Sequence, residues 1–277
     1  MKRSVLVALS IILLCSLLAL PTTLVNAYYA GYETTNYLAL EDPVIDGMWS
    51  TSTEWDDAEI PTNLPADFHW RLKWTYPSNI VAHYLIEFFT DNTTNAGDYI
   101  QICLDCDADG GSTPQTNDFR IDYVGHNASA SGVTVYQGNG AGWAEFTGWT
   151  WPDSIFVNDT ISASPLNSTP HRIVELSMDR DLFDTSTATP AYAPWTRVAV
   201  YDENNSTVIA WPPTEQYVPD DWGLETGVYE SIPEALTVGV VVLLSSVAVV
   251  VSFYCLRKRS KTEGHSSVKT GEITYKG

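Results

Sequence analysis

Apolar and polar residues alternate along several short stretches of the chain. In Tyr99–Leu104, Ile100, Ile102 and Leu104 fall on one face. The same period of two recurs at Phe119–Tyr123, Gly132–Gly138, Ile173–Met178 and Thr196–Tyr201. Clusters of Gly, Asn, Asp and Pro separate these stretches, and the single helical signal is one turn at Asp179–Leu182. Because successive strand residues point to opposite faces, the pattern predicts an all-β fold. The expected form is an antiparallel β-sandwich, immunoglobulin-like or jelly-roll in style.

Continuous apolar runs near both ends do not fit this alternation. Ser4–Leu20 follows the basic start Met1-Lys2-Arg3, and the small-x-small sequence Val25-Asn26-Ala27 comes soon after it. This arrangement is typical of a secretory signal peptide and predicts cleavage after Ala27. An uncleaved membrane anchor is the competing interpretation of the same residues.

The second run, Leu236–Leu256, contains no charged residue and is followed at once by Arg257-Lys258-Arg259. It is long enough to cross a bilayer, and basic residues remain on the cytoplasmic side. A buried core helix is the alternative, but such a helix is rarely apolar around its whole circumference. We therefore predict a single-pass protein of the cell membrane. Residues 1–27 are the signal peptide, 28–231 the extracellular domain, 232–256 the neck and transmembrane helix, and 257–277 a basic cytoplasmic tail.

Charge follows the same division. Residues 28–231 hold 31 acidic and 6 basic residues, a net charge of −25, whereas residues 257–277 hold 6 basic and 2 acidic residues, a net charge of +4. A domain this acidic excludes nucleic acid as a partner, because phosphate binding requires the opposite sign. It is compatible with calcium, with cationic partners, or with solubility alone.

The predicted extracellular domain contains six Asn-x-Ser/Thr sequences without a central proline, which are acceptor sites for N-glycosylation. They are Asn92, Asn127, Asn158, Asn167, Asn204 and Asn205. Such sites lie on exposed loops and so help to place the turns. If the domain's two cysteines, Cys103 and Cys106, lie on one strand, their Cα atoms are about 10 Å apart, too far for a disulfide. We expect two small buried residues.

The most specific chemical motif is the acidic stretch Asp105–Gly111, in which Asp105, Asp107 and Asp109 alternate before Gly110. Alternate carboxylates of a tightly curled loop point inward together and offer the oxygen ligands that calcium requires. The position of the usual bidentate glutamate is occupied by Thr116, so Asp118 is the candidate for the fourth ligand. The alternative is a solvated acidic hairpin loop.

Tryptophan is abundant, and Trp149 and Trp151 are two residues apart. On a strand they would lie on one face about 6.6 Å apart. The C–H face of a pyranose ring stacks on such aromatic surfaces, so this pair is a candidate sugar platform. The competing interpretation is that both are core residues, because sandwich cores also contain aromatics.

Several short motifs resemble a known group of domains. Val44–Trp49 followed by Glu54–Ala58 is similar to the opening of carbohydrate-binding module family 9 and DOMON-like β-sandwiches. The later segments that resemble the same domains are Tyr84–Asp91, Gly97–Ile102, Asp118–Ile121, and Val174–Met178 with Asp181-Leu182. Met178-Asp179 replaces the usual Ile-Pro of the closing segment. The resemblance spans residues 40–210 and implies a sandwich that binds carbohydrate, in some members with calcium.

The C-terminal region resembles an archaeal-style surface protein, because Ile232-Pro233-Glu234 precedes the apolar run and the basic cluster. Archaeal sorting tails normally stop soon after the basic residues. Here 18 residues follow Arg259. We therefore expect a permanent membrane anchor.

Four functions remain to be weighed. No Gly-x-Ser-x-Gly or His-Glu-x-x-His motif is present, which argues against an enzyme. A haem-binding DOMON-type electron carrier would need an axial pair such as Met48 or Met178 with His83, His126 or His171. We therefore predict a membrane-anchored, calcium-stabilised module that binds carbohydrate or an envelope glycan. The alternative is a structural or adhesion component of the cell envelope without a small ligand.

Overall fold

The structure, a computed structural model, describes residues 28–75, 80–183 and 194–227. The predicted signal peptide, neck, transmembrane segment and tail lie outside these residues. No helix long and apolar enough to cross a membrane occurs in the described part of the chain.

The described residues form twelve strands. These are β1 (Glu33–Leu38), β2 (Phe68–Thr75), β3 (Val81–Phe88), β4 (Tyr99–Asp105), β5 (Asp118–Val124), β6 (Val133–Gly138), β7 (Trp143–Glu145), β8 (Ile155–Ser162), β9 (His171–Asp179), β10 (Trp195–Asp202), β11 (Thr207–Trp211) and β12 (Gly223–Gly227). Short 3₁₀ turns lie at Ala130–Gly132, Arg180–Phe183 and Pro219–Asp221. The all-β prediction is confirmed for this part of the chain, and the predicted single helical turn corresponds to Arg180–Phe183.

The strands follow the order β7-β6-β5-β4-β10-β12-β1-β2-β3-β9-β8, and β11 also pairs with β10. We call the half from β7 to β12 sheet I and the half from β2 to β8 sheet II. Strand β1 joins them, since Glu33–Asn36 pairs with β12 and Tyr37–Leu38 pairs with β2.

Both pairings of β1 are parallel, which corrects the prediction of a purely antiparallel sandwich. Parallel neighbours require a long crossover connection. Residues 39–67 provide it between β1 and β2, and the sequence pattern alone does not show where such a crossover leads.

One core lies between the two halves. Inward residues of sheet I such as Ile102 and Ile121 belong to the same buried cluster as Trp70, Tyr84 and Leu176 of sheet II. The cluster therefore consists of alternate residues from both halves, as expected of a curled sheet that encloses its apolar face.

The outer face of sheet II is also covered. The crossover residues Trp49, Trp55 and Ala58 form a second buried cluster with Leu85 and Ile173. Because of this cover, the charged residues Arg71 and Lys73, which alternate with apolar residues along β2, are buried. The opening motif of the sequence resemblance thus forms the cap of sheet II.

Candidate functional site

The acidic loop after β4 curls as its sequence predicts. Ala108, Gly110 and Gly111 have positive φ angles of 55°, 73° and 127°. One carboxylate oxygen from each of Asp105, Asp107 and Asp109 lies within 4.8 Å of the other two. The structure therefore brings these three predicted metal ligands together.

The fourth predicted ligand, Asp118, lies beside Asp105 but is not part of the same 4.8 Å group. Asp118 is the cross-strand partner of Asp105, and both residues have no exposed surface. Asp105 Oδ2 accepts a hydrogen bond from Gly110 N at 2.8 Å, and Asp118 Oδ2 accepts one from Gln115 N at 2.6 Å. The Oδ1 atoms of Asp105, Asp107 and Asp118 are buried and have no hydrogen-bond partner among the described residues.

Burial acts against the charge of these carboxylates. It raises the pKa of Asp105, and the neighbouring charge of Asp118 raises it further. Burial raises the pKa of Asp118 to about 7, with a smaller contribution from Asp109 and Asp107. A divalent cation would reverse this by favouring the ionised forms. The all-oxygen set fits calcium, which binds six to eight oxygen ligands.

A groove of about 330 Å³ crosses the outer face of sheet I. Its floor comes from outward residues of β4, β10 and β11, including Tyr99, Gln101 and Arg197, and one wall is the segment Pro213–Gln216. Its size falls at the lower end of the range of small-molecule pockets, about 300–1,000 Å³.

The groove side chains Gln101 and Arg197 are held in place by each other and by Asp122 and Arg120 of the neighbouring strand β5. Arg197 Nη1 donates to Gln101 Oε1 at 2.8 Å, and Gln101 Nε2 donates to Asp122 Oδ1 at 3.0 Å. Arg120 Nη2 donates to Asp122 Oδ2 at 2.8 Å. Four planar polar groups are thereby fixed across three neighbouring strands, so few rotamers need to be frozen when a ligand binds.

Two further contacts join this network to the wall. Arg197 Nε donates to the carbonyl oxygen of Thr214 at 2.7 Å, and Arg120 Nη1 donates to Gln216 Oε1 at 2.9 Å. At one end the rings of Tyr99 and Tyr201 stack with their centroids 5.0 Å apart. The groove thus combines an aromatic surface with fixed donors and acceptors.

The sequence prediction missed the groove residues. The signal that could have found them is the outward half of the alternation in β4 and β10, where Gln101 and Arg197 occupy positions between apolar inward residues. A second concavity, of about 230 Å³, lies on the cap of sheet II. Its lining includes Glu41, Asp42, Asp46 and Glu54 and no aromatic residue, so it lacks a stacking surface.

The predicted strand position of Trp149 and Trp151 is corrected. Trp149 and Trp151 lie in the loop between β7 and β8, not on a strand, and both are partly buried against the main core. The segment closes into a turn, because Ser154 N donates to Thr150 O at 2.9 Å and Thr150 N donates to Ser154 Oγ at 3.1 Å. The strand spacing on which the platform depended is therefore absent.

The predicted glycosylation acceptors lie in different settings. Asn92, Asn127, Asn204 and Asn205 are exposed in loops or turns, as expected. Asn167 is partly buried in a loop. Asn158 lies within β8 instead, where its backbone pairs with β9, because the sequon gives no information about strand pairing. Glycosylation itself remains a prediction.

The remaining sequence candidates are the two cysteines and the possible haem ligands. Cys103 and Cys106 are free and buried, as predicted. Met178 belongs to the core, whereas His83 and His171 lie on the outer face of sheet II, since Met178 pairs with Ala82 and successive residues face opposite sides. The structure therefore does not bring Met178 together with either histidine as a haem ligand pair.

Comparison with known proteins gave matches among solved structures alone. No family model matches the chain, and no curated protein matches it. A carbohydrate-binding module of family 9 from Caldicellulosiruptor kristjanssonii in complex with cellotriose is 15% identical, with a TM-score of 0.44, over 72% of this chain and 98% of that one. A family 9 module from the same organism in complex with glucose is 14% identical with the same TM-score, over 73% of this chain and 99% of that one.

A third similar structure is that of a protein from Bacteroides uniformis to which carbohydrate binding has been assigned by inference. It is 9% identical with a TM-score of 0.44, over 72% of this chain and all of that one. Similarity at this level does not establish a family or a ligand for the present chain. The candidate sites therefore rest on their own geometry.

Proposed function

We propose that this chain is a non-catalytic, glycan-binding module of the cell surface that binds its ligand in the groove of sheet I. The observation that carries the proposal is the fixed network of Arg197, Gln101, Asp122 and Arg120 beside the stacked rings of Tyr99 and Tyr201. The amide of Gln101 and the guanidinium of Arg197 line the groove and offer planar polar groups to pairs of adjacent sugar hydroxyls. An aromatic edge offers contact to the apolar C–H face of the sugar.

Calcium at Asp105, Asp107, Asp109 and Asp118 is the second part of the proposal. The loop joins β4 to β5, and β4 and β5 carry Gln101 and Asp122 of the groove network. A cation there would neutralise buried carboxylates at the end of the two strands and so keep the floor of the groove in register. The proposed role of this ion is structural, because Asp105 and Asp118 are fully buried.

The groove is tested with the purified full chain on a glycan array, followed by calorimetry on each glycan that binds. We expect Tyr99→Ala and Arg197→Lys to weaken binding at least about tenfold, since each loses on the order of 1.4 kcal/mol of fixed contacts. The matched control is the double variant Trp149→Ala/Trp151→Ala. It should lower the melting temperature and leave glycan affinity unchanged.

Two results would contradict this assignment. Loss of binding in the tryptophan double variant alone would move the site to the loop between β7 and β8. A wild-type chain that binds no glycan on the array or in polysaccharide pull-downs would instead favour a structural envelope component.

A further inference from the structure

Three loops meet at the opposite end of the strands from the acidic loop. Asp91 follows β3, Asp98 precedes β4 and His126 follows β5. One oxygen or nitrogen ligand atom from each lies within 4.8 Å of the other two. Asp91 and Asp98 are 1% and 0% exposed, and the His126 side chain is 15% exposed.

One acceptor in this cluster has no partner. Asp91 Oδ1 accepts hydrogen bonds from the backbone and hydroxyl of Thr93 at 3.0 and 3.1 Å. Its Oδ2 is buried and has no hydrogen-bond partner in the described part of the chain. A buried carboxylate oxygen is costly unless it is bonded to a donor or a cation, and a second carboxylate, Asp98, lies next to it.

The histidine ring is held from its other side. His126 Nδ1 lies 2.5 Å from Asp159 Oδ2, and Asp159 also accepts a hydrogen bond from the Tyr123 hydroxyl. Arg172 Nε lies 3.5 Å from the same Asp159 oxygen. If Nδ1 donates its proton to Asp159, the lone pair of Nε2 points toward Asp98. Metal-binding histidines are commonly oriented in this way by a carboxylate behind the ring.

The distance between the two facing atoms fits a metal ion. His126 Nε2 and Asp98 Oδ2 are 3.2 Å apart. Two lone pairs at this distance repel each other unless a proton or a metal ion lies between them. Tetrahedral bonds of about 2.0–2.1 Å to a common zinc ion place two ligand atoms about 3.3 Å apart. The observed separation of 3.2 Å is close to this distance between two zinc ligands.

We propose that Asp91, Asp98 and His126 form a binding site for a divalent zinc-type ion, with Asp159 as the residue that positions the histidine. An imidazole nitrogen among the ligands favours zinc over calcium, which prefers oxygen alone. The site is therefore chemically distinct from the acidic loop after β4. Its ion would connect the loops that follow β3 and β5 to the start of β4, with water completing the coordination.

The test uses the untagged full chain, stripped with a chelator and titrated with Zn²⁺ by calorimetry. We expect one zinc ion per chain at this site, and Asp91→Asn and His126→Gln should abolish that binding. Asp159→Asn should weaken it about 10- to 100-fold, as is usual for a carboxylate that orients a ligating histidine. Asp153→Asn is the matched control, because Asp153 is exposed in a turn outside both clusters and its substitution should leave zinc binding unchanged.

A measurement on the wild-type chain covers the case in which these variants fail to fold. In ¹⁵N-histidine NMR, the assigned Nε2 resonance of His126 should shift on addition of Zn²⁺. The proposal is overturned if the stripped wild-type chain takes up no zinc, or if uptake is the same in a folded His126→Gln variant. It is equally overturned if the shifted resonance belongs to another of the chain's five histidines. In those cases His126 is an imidazolium that bridges Asp98 and Asp159.

Discussion

At the scale of single residues, Glu175 attaches the cap to sheet II. Its Oε2 accepts hydrogen bonds from the backbone nitrogens of Asp46 and Gly47, each at 2.9 Å, and its Oε1 accepts one from Trp55 Nε1 at 2.8 Å. The residue has no exposed surface, and burial raises its pKa to about 7. Glu175 belongs to the closing motif of the resemblance, and it binds residues of the opening motif. The two ends of the resemblance are therefore in direct contact.

We predict that Glu175→Gln lowers the free energy of unfolding by about 1–3 kcal/mol, because the new amide N–H₂ faces a donor where an acceptor is needed. Urea denaturation of the full chain measures the change. Glu145→Gln is the control, since Glu145 is exposed on β7 and should shift stability by less than about 0.5 kcal/mol. Equal effects of the two substitutions would contradict this role for Glu175.

Gly47 provides a second prediction at this scale. Its φ angle is +80°, and an added Cβ would lie 2.7 Å from backbone atoms of Asp159. Gly140 has the same φ angle, but its added Cβ would lie 3.6 Å from the nearest atom. Gly140→Ala should therefore cost only backbone strain, about 1–2 kcal/mol. Gly47→Ala should cost about 1–3 kcal/mol more through the clash. Similar melting temperatures for the two variants would show that the cap is not held this closely.

At the scale of elements, the loop between β4 and β5 determines a pH dependence. Asp105, Asp109 and Asp118 have folded-state pKa values above the ordinary 3.8, with Asp118 at about 7. These three carboxylates therefore bind more protons in the calcium-free fold than in the unfolded chain above about pH 4. Their contribution to stability is greatest below that pH and falls as pH rises through about 7. The raised pKa of Glu175 makes stability fall with rising pH in the same way, and this contribution does not depend on calcium.

We predict that calcium raises the melting temperature more at pH 8 than at pH 5, since the bound ion replaces the protons. At a hundredfold excess over Kd the gain is about 2.7 kcal/mol. Thermal melts with chelator, calcium, or magnesium at matched ionic strength measure it. Asp107→Asn should remove the gain, whereas Asp153→Asn, at an exposed turn, should retain it. Equal gains with both ions would indicate screening of a solvated loop.

At the scale of the whole molecule, the charge division and the apolar runs predict the topology. We expect the mature chain to begin at Tyr28 and external protease to digest residues 28–231 on intact cells. N-terminal sequencing and protease protection measure the two outcomes. A chain that begins at Met1, or an acidic domain protected until the cells are lysed, would contradict this arrangement.

The sequence by itself determined the strands and the acidic loop. Alternation at Tyr99–Leu104 and Ile173–Met178 specifies strands because one face must be buried, and this holds whatever the neighbouring strand is. Asp105, Asp107 and Asp109 come together because one short, tightly turned loop carries all three. Trp149 and Trp151 show the limit of such local inference, because residues two positions apart share one face only when they lie within a strand.

Only the tertiary structure decided which surfaces are available and which distant residues meet. The charged residues that alternate along β2 look solvent-facing in the sequence, yet residues 39–67 bury them. Arg197 reaches Gln101, and His126 lies beside Asp91 and Asp98, because non-neighbouring strands pair and their loops converge at one end of the sheet. Strand pairing depends on how the whole apolar surface is buried, and a local pattern does not contain that information.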